Sequence, residues 1–304
     1  MTFKQFSAKL ETIPATTSWY LADLSEARGK QELFTRQTPQ RLKVLREHAL
    51  IESAVSSNRI EGVHVDQDRV RAIVLGRSHL RDRNEEEVRG YRNALKLIHE
   101  HAAKLPVAPD TILELHRLAR AEIGDAGQYK QRDSDIIERY PDGRQRVRFK
   151  TVPASKTPAY LNNLVDDWSR CLQERWVHPL LALAAFNLDF LCIHPFRDGN
   201  GRVSRLLLLL QCYHLGYEAG RYISLERLGQ VKSPRGAKTE IIVNAVKAFA
   251  GNFTLTELEH ACPGVSRDMI RGVLRDLQKA GAVECLGRGP GAAWRKRGNV
   301  RKRG

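Results

Sequence analysis

Apolar residues recur at helical spacing along most of the chain. Over residues 41–60, Leu42, Leu45, Leu50, Ala54 and Val55 fall close to one side of a helix. Residues 85–102 and 109–123 repeat the pattern, the first with acids in its opening turn. Over 161–175, Leu161, Leu164, Val165, Trp168 and Leu172 follow the same three-four rhythm. Two more apolar helices are predicted at 178–193 and 201–215, flanking a glycine-rich loop. The exception is 134–152. There Ile136 and Ile137, a Pro-Asp-Gly turn at 141–143, and then Val147 and Phe149 predict a charged β-hairpin. A lone hairpin is marginal in water, so this one must lie on the helical body.

Beyond residue 236 the texture changes. Thr254 and Glu257 have capping-box spacing, with Phe253 and Leu258 placed as a staple. That short helix is expected to end near Cys262-Pro263-Gly264. Ser266 then caps a second helix over 267–280. Met269, Val273, Leu274 and Leu277 share one side of it, and Arg267, Arg271, Arg275 and Lys279 the other. Two short strands, 283–285 and 292–294, bracket a glycine-rich turn. Helix, turn, helix and a two-stranded wing predict a winged helix-turn-helix, with Arg267, Arg271 and Arg275 as its candidate DNA contacts.

Length and charge refine this picture. The 304 residues are comfortable for two domains, and 42% hydrophobic with 28% charged excludes a disordered chain or a disulfide scaffold. Fifty basic against 35 acidic side chains leave +15, which calls for a polyanionic partner. More than half of that excess, +9, lies in residues 225–304. The five cysteines are scattered without metal-ligand spacing and read as reduced thiols of a cytoplasmic protein. The N-terminus lacks a signal-peptide core, and the apolar runs fall short of the roughly 18 residues needed to span a bilayer. No membrane association is expected.

The chemistry concentrates in residues 194–205, HPFRDGNGRVSR. Asp-Gly and Asn-Gly are turn dipeptides, so a plain helix–helix connection is the simplest account. The residue types favour more. Gly199 and Gly201 let backbone N–H groups approach a ligand, and the helix starting there presents a positive end. Arg202 and Arg205, three apart, project from one side. Asp198 adds a hard carboxylate of the kind a magnesium–phosphate site needs, and His194 a base near neutral pH. That set suits phosphoryl or nucleotidyl transfer.

Residues 194–205 also resemble, at every defined position, the HPFx(D/E)GNGRxxR motif of Fic-domain proteins. The resemblance implies a mostly α fold: a Fic helical fold with a β-hairpin flap, followed by the winged helix-turn-helix. Its divisions are an N-terminal helical region at 1–105, a catalytic core at 106–230, and a basic module at 236–304. It further implies transfer of AMP from ATP to a hydroxyl side chain of a target protein. His194 would deprotonate the hydroxyl, Asp198 would hold Mg²⁺, and Gly199, Asn200 and Gly201 would cradle the α- and β-phosphates. Arg202 would brace the phosphates and Arg205 would meet the γ-phosphate. The flap, with Ile136 and Ile137, would align the target's backbone. The GNGR form argues against the kinase-like branch, which has lysine at the second glycine.

Ser57-Asn58-Arg59-Ile60-Glu61-Gly62 resembles the (S/T)xxxE(G/N) self-inhibition motif of the same proteins. A helix end with Gly62 beyond it would explain the pattern too, but it leaves Glu61 at a helix C-terminus, where the macrodipole disfavours an acid. The resemblance supplies a cationic partner, Arg205, and also allows Glu61 to assist removal of AMP. Between Ser224 and Gly236 the chain is shorter than the resemblance implies. Other readings stay open: a DNA-binding regulator using the Fic domain as a nucleotide sensor, transfer of UMP or phosphocholine, and a homodimer.

Overall fold

The computed structural model describes residues 2–9, 12–76, 79–121, 123–139, 143–226, 237–249, 251–262, 265, 267–287, 289 and 292–296. The described chain divides into two compact units, 1–229 and 230–304.

The first unit is helical apart from one hairpin. Its elements are α1 Thr2–Lys9, α2 Ala15–Thr35, α3 Pro39–Ile60, α4 Gln67–Val74, α5 Arg83–His101 and α6 Pro109–Ala119. The hairpin β1 Ile136–Arg139 and β2 Gln145–Phe149 follows, then α7 Thr157–Glu174, α8 Pro179–Ile193 and α9 Asn200–His214. One core runs through α5 to α9, with Tyr91, Leu95, Ile98, Ile112, Leu115, Phe186, Phe190 and Leu206 fully buried. Helix α8 is apolar on nearly every side because α1, α7 and α9 all pack on it. Its one buried carboxylate, Asp189, caps α1 by accepting from both the N–H and the hydroxyl of Thr2.

Several elements depart from the sequence pattern. Helices α1, α2 and α4 have no counterpart in it. α6 stops at Ala119, four residues early, and Ala121 takes a left-handed backbone with φ 53°. The second half of α3 buries Ser53, Ser56, Ser57 and Asn58 beside Ala54, and Leu50 packs on the core, while Leu45 stays exposed. Polar burial of that kind needs polar partners, and those belong to the site described below. The hairpin forms at the expected place, pairing Ile137 with Val147 and Ile136 with Phe149, with an irregularity between the two isoleucines. Pro141 and Asp142 of its turn lie outside the described residues.

The second unit contains α10 Ala237–Ala248, β3 Phe253–Thr254, α11 Leu255–Ala261, α12 Arg267–Lys279, β4 Val283–Cys285 and β5 Ala293–Lys296. The strands form an antiparallel sheet in the order β3-β5-β4. The capping box is present. Thr254 accepts from the Glu257 N–H, and the Glu257 carboxylate accepts from the Thr254 N–H at 2.7 Å. Phe253, Leu258, Ile270, Leu274 and Val283 make a separate small core. Helix α10 and strand β3 were not expected. Ser266, Pro263, Gly264, residues 227–236 and the tail from 297 lie outside the described residues.

Candidate active site

Helix α8 delivers His194 and then ends, because His194 itself takes a left-handed backbone (φ 53°) while its N–H still donates to Phe190. Such a conformation is sparsely populated for non-glycine residues and concentrates at functional sites. The loop that follows is held from both sides. Asn200 accepts from the Phe196 N–H at 2.9 Å and donates to the Phe196 carbonyl at 2.8 Å. Phe196 is fully buried and stacks flat on His116 of α6, ring centres 3.7 Å apart.

His116 also fixes the other end of the loop. The Gly127 N–H can only donate, so Nδ1 of His116 is the acceptor at 2.9 Å. Nε2 then carries the proton and donates to the Asp198 carbonyl at 3.0 Å. Burial pushes the His116 pKa down to about 4, against the Asp198 hydrogen bond, which raises it. The unfolded chain, with histidine near 6.5, binds a proton that the folded chain refuses between those values. The contribution of His116 is therefore complete above about pH 6.5 and is lost as pH falls towards 4, about 3 kcal/mol in all. Urea titrations at pH 7 and pH 4.5 are expected to show a lower midpoint at the acid pH, with His116→Phe losing less of its stability across that interval than wild type. An equal loss in both proteins would contradict this assignment.

Asp198 projects from the loop with its side chain 52% exposed. One carboxylate oxygen accepts from the Gly199 N–H at 2.6 Å, and the other from Arg120 at 2.7 Å. Gly199 begins α9 at φ 82°, and a Cβ there would press on Arg120 and His116. Beneath the loop, Glu87 of α5 is buried and gathers three guanidiniums. Arg202 donates to it at 2.6 Å, Arg83 at 2.9 Å and Arg120 at 3.1 Å. Arg202 also reaches Asn58 of α3 at 3.3 Å.

Arg205 lies one turn on and faces the end of α3. Its Nε donates to the Ser57 hydroxyl at 2.8 Å, and its Nη2 to the Ser57 carbonyl at 3.1 Å and to Glu61 Oε1 at 2.8 Å. Glu61 caps α3, with Gly62 beyond it at φ 81°. Its carboxylate reaches across to the first turn of α9. A Cβ built on Gly201 would lie 2.3 Å from Glu61 Oε1, so any side chain there would push the Glu61 carboxylate aside. A side-chain anion therefore sits against a helix N-terminus, the place where a phosphate would bind.

His194 is half-buried, and its Nδ1 is buried, with the Leu191 backbone beside the ring. Burial lowers its pKa against the Leu191 backbone hydrogen bond, which raises it, and the nearby Lys130 charge acts with burial. Lys130, only 4% exposed, ties the hairpin to the loop. Its N–H donates to the Pro195 carbonyl at 2.9 Å, and its ammonium to the Thr151 hydroxyl at 2.8 Å and the Ile193 carbonyl at 3.3 Å. Thr151 in turn donates to the Ser134 carbonyl at 2.7 Å. Ile136 and Ile137 are exposed on the hairpin so anchored.

His194, Asp198, Gly199, Gly201 and Arg205 thus converge with Ser57 and Glu61 on one surface. Asn200 spends its side chain on Phe196 and keeps its backbone N–H for a ligand. Arg202 is 1% exposed and turned inward, because the Glu87 carboxylate draws it beneath the loop. In the second unit, Arg267 lies 3.3 Å from Glu259 and Arg271 3.6 Å from Asp268. Glu87, His116, Arg120 and Lys130 were not singled out from the sequence. For two of them a signal existed. Glu87 is in register with Tyr91, Ala94 and Ile98, and His116 with Ile112, Leu115 and Ala119, so each is a polar residue on a buried stripe.

Among the described residues no cluster of three or more His, Cys, Asp or Glu could enclose a metal ion. The half-exposed Asp198 suits the alternative, a magnesium ion held by one carboxylate and the phosphates of a substrate. No described helix is long and apolar enough to cross a membrane.

The first unit is a helical body with a glycine-rich loop that starts a helix, a histidine before the loop and a hairpin beside it. Residues 106–212 match the Fic/DOC family. The chain is 29% identical over 159 residues to a protein adenylyltransferase Fic of Nematostella vectensis, covering 50% of this chain and 35% of that protein. It therefore spans about a third of that relative's length. Among solved structures, a Fic-domain-containing signalling protein of Bacteroides thetaiotaomicron is similar with a TM-score of 0.56 at 21% identity, covering 84% of this chain and 92% of that one. A Fic family protein of Desulfovibrio desulfuricans covers 96% and 98%, with a TM-score of 0.54 at 20% identity. These structures share the fold.

Proposed function

We propose that this protein transfers AMP from ATP to a hydroxyl side chain of a target protein, and that Glu61 restrains the transfer. The observation that carries the reading is Arg205 held by Ser57 and Glu61, with the Glu61 carboxylate against the first turn of α9. The first turn of α9 and Arg205 bind the phosphates of ATP once that carboxylate withdraws. Arg202 acts through Asp198 and Glu87, keeping the loop in shape. Since Nδ1 of His194 is buried, Nε2 faces the reacting hydroxyl. It takes the hydroxyl proton as the oxygen bonds to the α-phosphorus, and the bond from that phosphorus to pyrophosphate breaks. A lowered pKa keeps the imidazole unprotonated and ready as a base at neutral pH. Mg²⁺ on Asp198 would offset charge on the departing pyrophosphate. The hairpin offers its exposed strands to an extended target segment, and Lys130 sets its distance from His194. Glu61 is also placed to assist the reverse step, removal of AMP.

The test is ATP labelled at either the α- or the γ-phosphate. Adenylyl transfer is expected to leave label on protein from the first and none from the second. Label from the γ-phosphate would mean phosphorylation, and no label from either in the Glu61→Gly variant would sink the proposal.

The DNA reading ranks below this one. Two of its three arginines, Arg267 and Arg271, already have acidic neighbours within ion-pair reach.

A further inference from the structure

On a side of the first unit away from the loop, α3, α5 and the short turn Ala219–Arg221 enclose a groove of about 570 Å³. It is lined by Arg46, Arg92, Lys96 and Arg221 against Glu47 and Glu100. The two acids are already engaged, Glu47 at 3.9 Å from Arg71 and Glu100 at 3.8 Å from Lys96. Arg221 is paired with Glu218. Arg46 and Arg92 have no carboxylate within ion-pair distance among the described residues. Arg46 donates to the Tyr222 hydroxyl at 3.1 Å, and Arg92 to the Asn93 amide oxygen at 2.9 Å. Arg92 is half-buried, and its Nε is buried with no hydrogen-bond partner among the described residues.

The half-buried Arg92 guanidinium is costly without an anion in contact, because it surrenders water for only the uncontacted charge of Glu100, while Arg46 is exposed and lies over the Tyr222 ring. The positive field is also felt by His99 in the same groove. Burial, and then the charges of Arg221 and Arg46, hold its pKa at about 4, so it adds no further charge at neutral pH. Guanidinium forks pair best with planar carboxylates and with phosphates. Two unpaired forks in a concavity of small-ligand size favour an anion bearing more than one negative charge.

From this we infer that the α3–α5 groove is a second anion site, taking a phosphate-bearing small molecule of nucleotide size. It is separate from the loop at α9 and does not depend on adenylyl transfer. One of its walls is the helix that ends in Glu61.

Footprinting of Lys96, which is exposed in the groove, tests the inference. The full chain is acetylated with and without inorganic pyrophosphate, and Lys96 modification is read by mass spectrometry. At ten times its Kd the probe is expected to slow Lys96 labelling about tenfold. Protection is expected to persist in Arg205→Gln, which removes an anchor of the loop site, and to vanish in Arg46→Gln/Arg92→Gln. ADP is run beside pyrophosphate. Protection at lower ADP concentration identifies a nucleotide ligand, and equal protection identifies the phosphates alone. Lys96 labelling unchanged by millimolar concentrations of both probes in the wild type would overturn the proposal, whatever the variants do. Protection that disappears in Arg205→Gln would overturn it too, by assigning the effect to the loop.

Discussion

Glu61→Gly is expected to raise the rate of adenylyl transfer about 10- to 100-fold, the scale of one charge-assisted hydrogen bond. Glu61 holds Arg205 at 2.8 Å and sets a carboxylate against the first turn of α9. Both the cation and the helix N-terminus are thereby taken up by an internal anion. Removing the carboxylate frees them together, while Ser57 still orients Arg205 through its hydroxyl and carbonyl. Stability should change little, since the pair is partly solvated and such pairs contribute at most about 1 kcal/mol. Initial rates with α-labelled ATP, set beside melting curves for the two proteins, check both halves. A variant that melts like wild type and labels no faster would show that Glu61 is not the restraint.

The second large effect is a loss. His194→Ala in the Glu61→Gly background is expected to lower transfer about 10²- to 10⁴-fold, the usual contribution of a positioned general base. The left-handed backbone at His194 complicates the reading, because alanine tolerates φ 53° poorly. His194→Asn serves as the second variant, since asparagine adopts that conformation readily and carries no base. Both variants should lose transfer while still binding ATP, as they leave the proposed phosphate contacts, α9 and Arg205, unchanged. Activity retained in His194→Asn would remove the imidazole from the mechanism.

Much of this was legible in the sequence because the information is local. The loop after His194 and the helix start at Asn200 are legible because the turn dipeptides and the helix start follow one another within a dozen residues. The capping box at Thr254 and Glu257 is legible for the same reason. Helix α2 was missed because its side chains are almost all exposed, leaving no apolar rhythm to detect. The inward turn of Arg202 was missed because spacing shows only that Arg202 and Arg205 share a side. Which group that side meets depends on Glu87, 115 residues away. The polar burial at the end of α3 is another tertiary effect. Ser57 and Asn58 interrupt an apolar stripe in sequence, yet they are buried because two arginines of α9 lie opposite them.

The charge distribution has a similar division. The +15 of the whole chain suggests nucleic acid, but the arginines at the loop are largely matched by Glu87, Asp198 and Glu61. The unmatched cations of the described first unit that carry an inference are Arg46 and Arg92, in the α3–α5 groove.

The most direct test of the account is the intact mass of Glu61→Gly and of Glu61→Gly/His194→Asn after incubation with ATP and Mg²⁺ in the presence of candidate target protein. Glu61→Gly is expected to add the mass of an adenylyl group, on itself or on the target, at a serine, threonine or tyrosine. No such addition is expected from the double variant. Equal addition by both proteins, or none by Glu61→Gly when its fold and ATP binding are intact, would contradict the account.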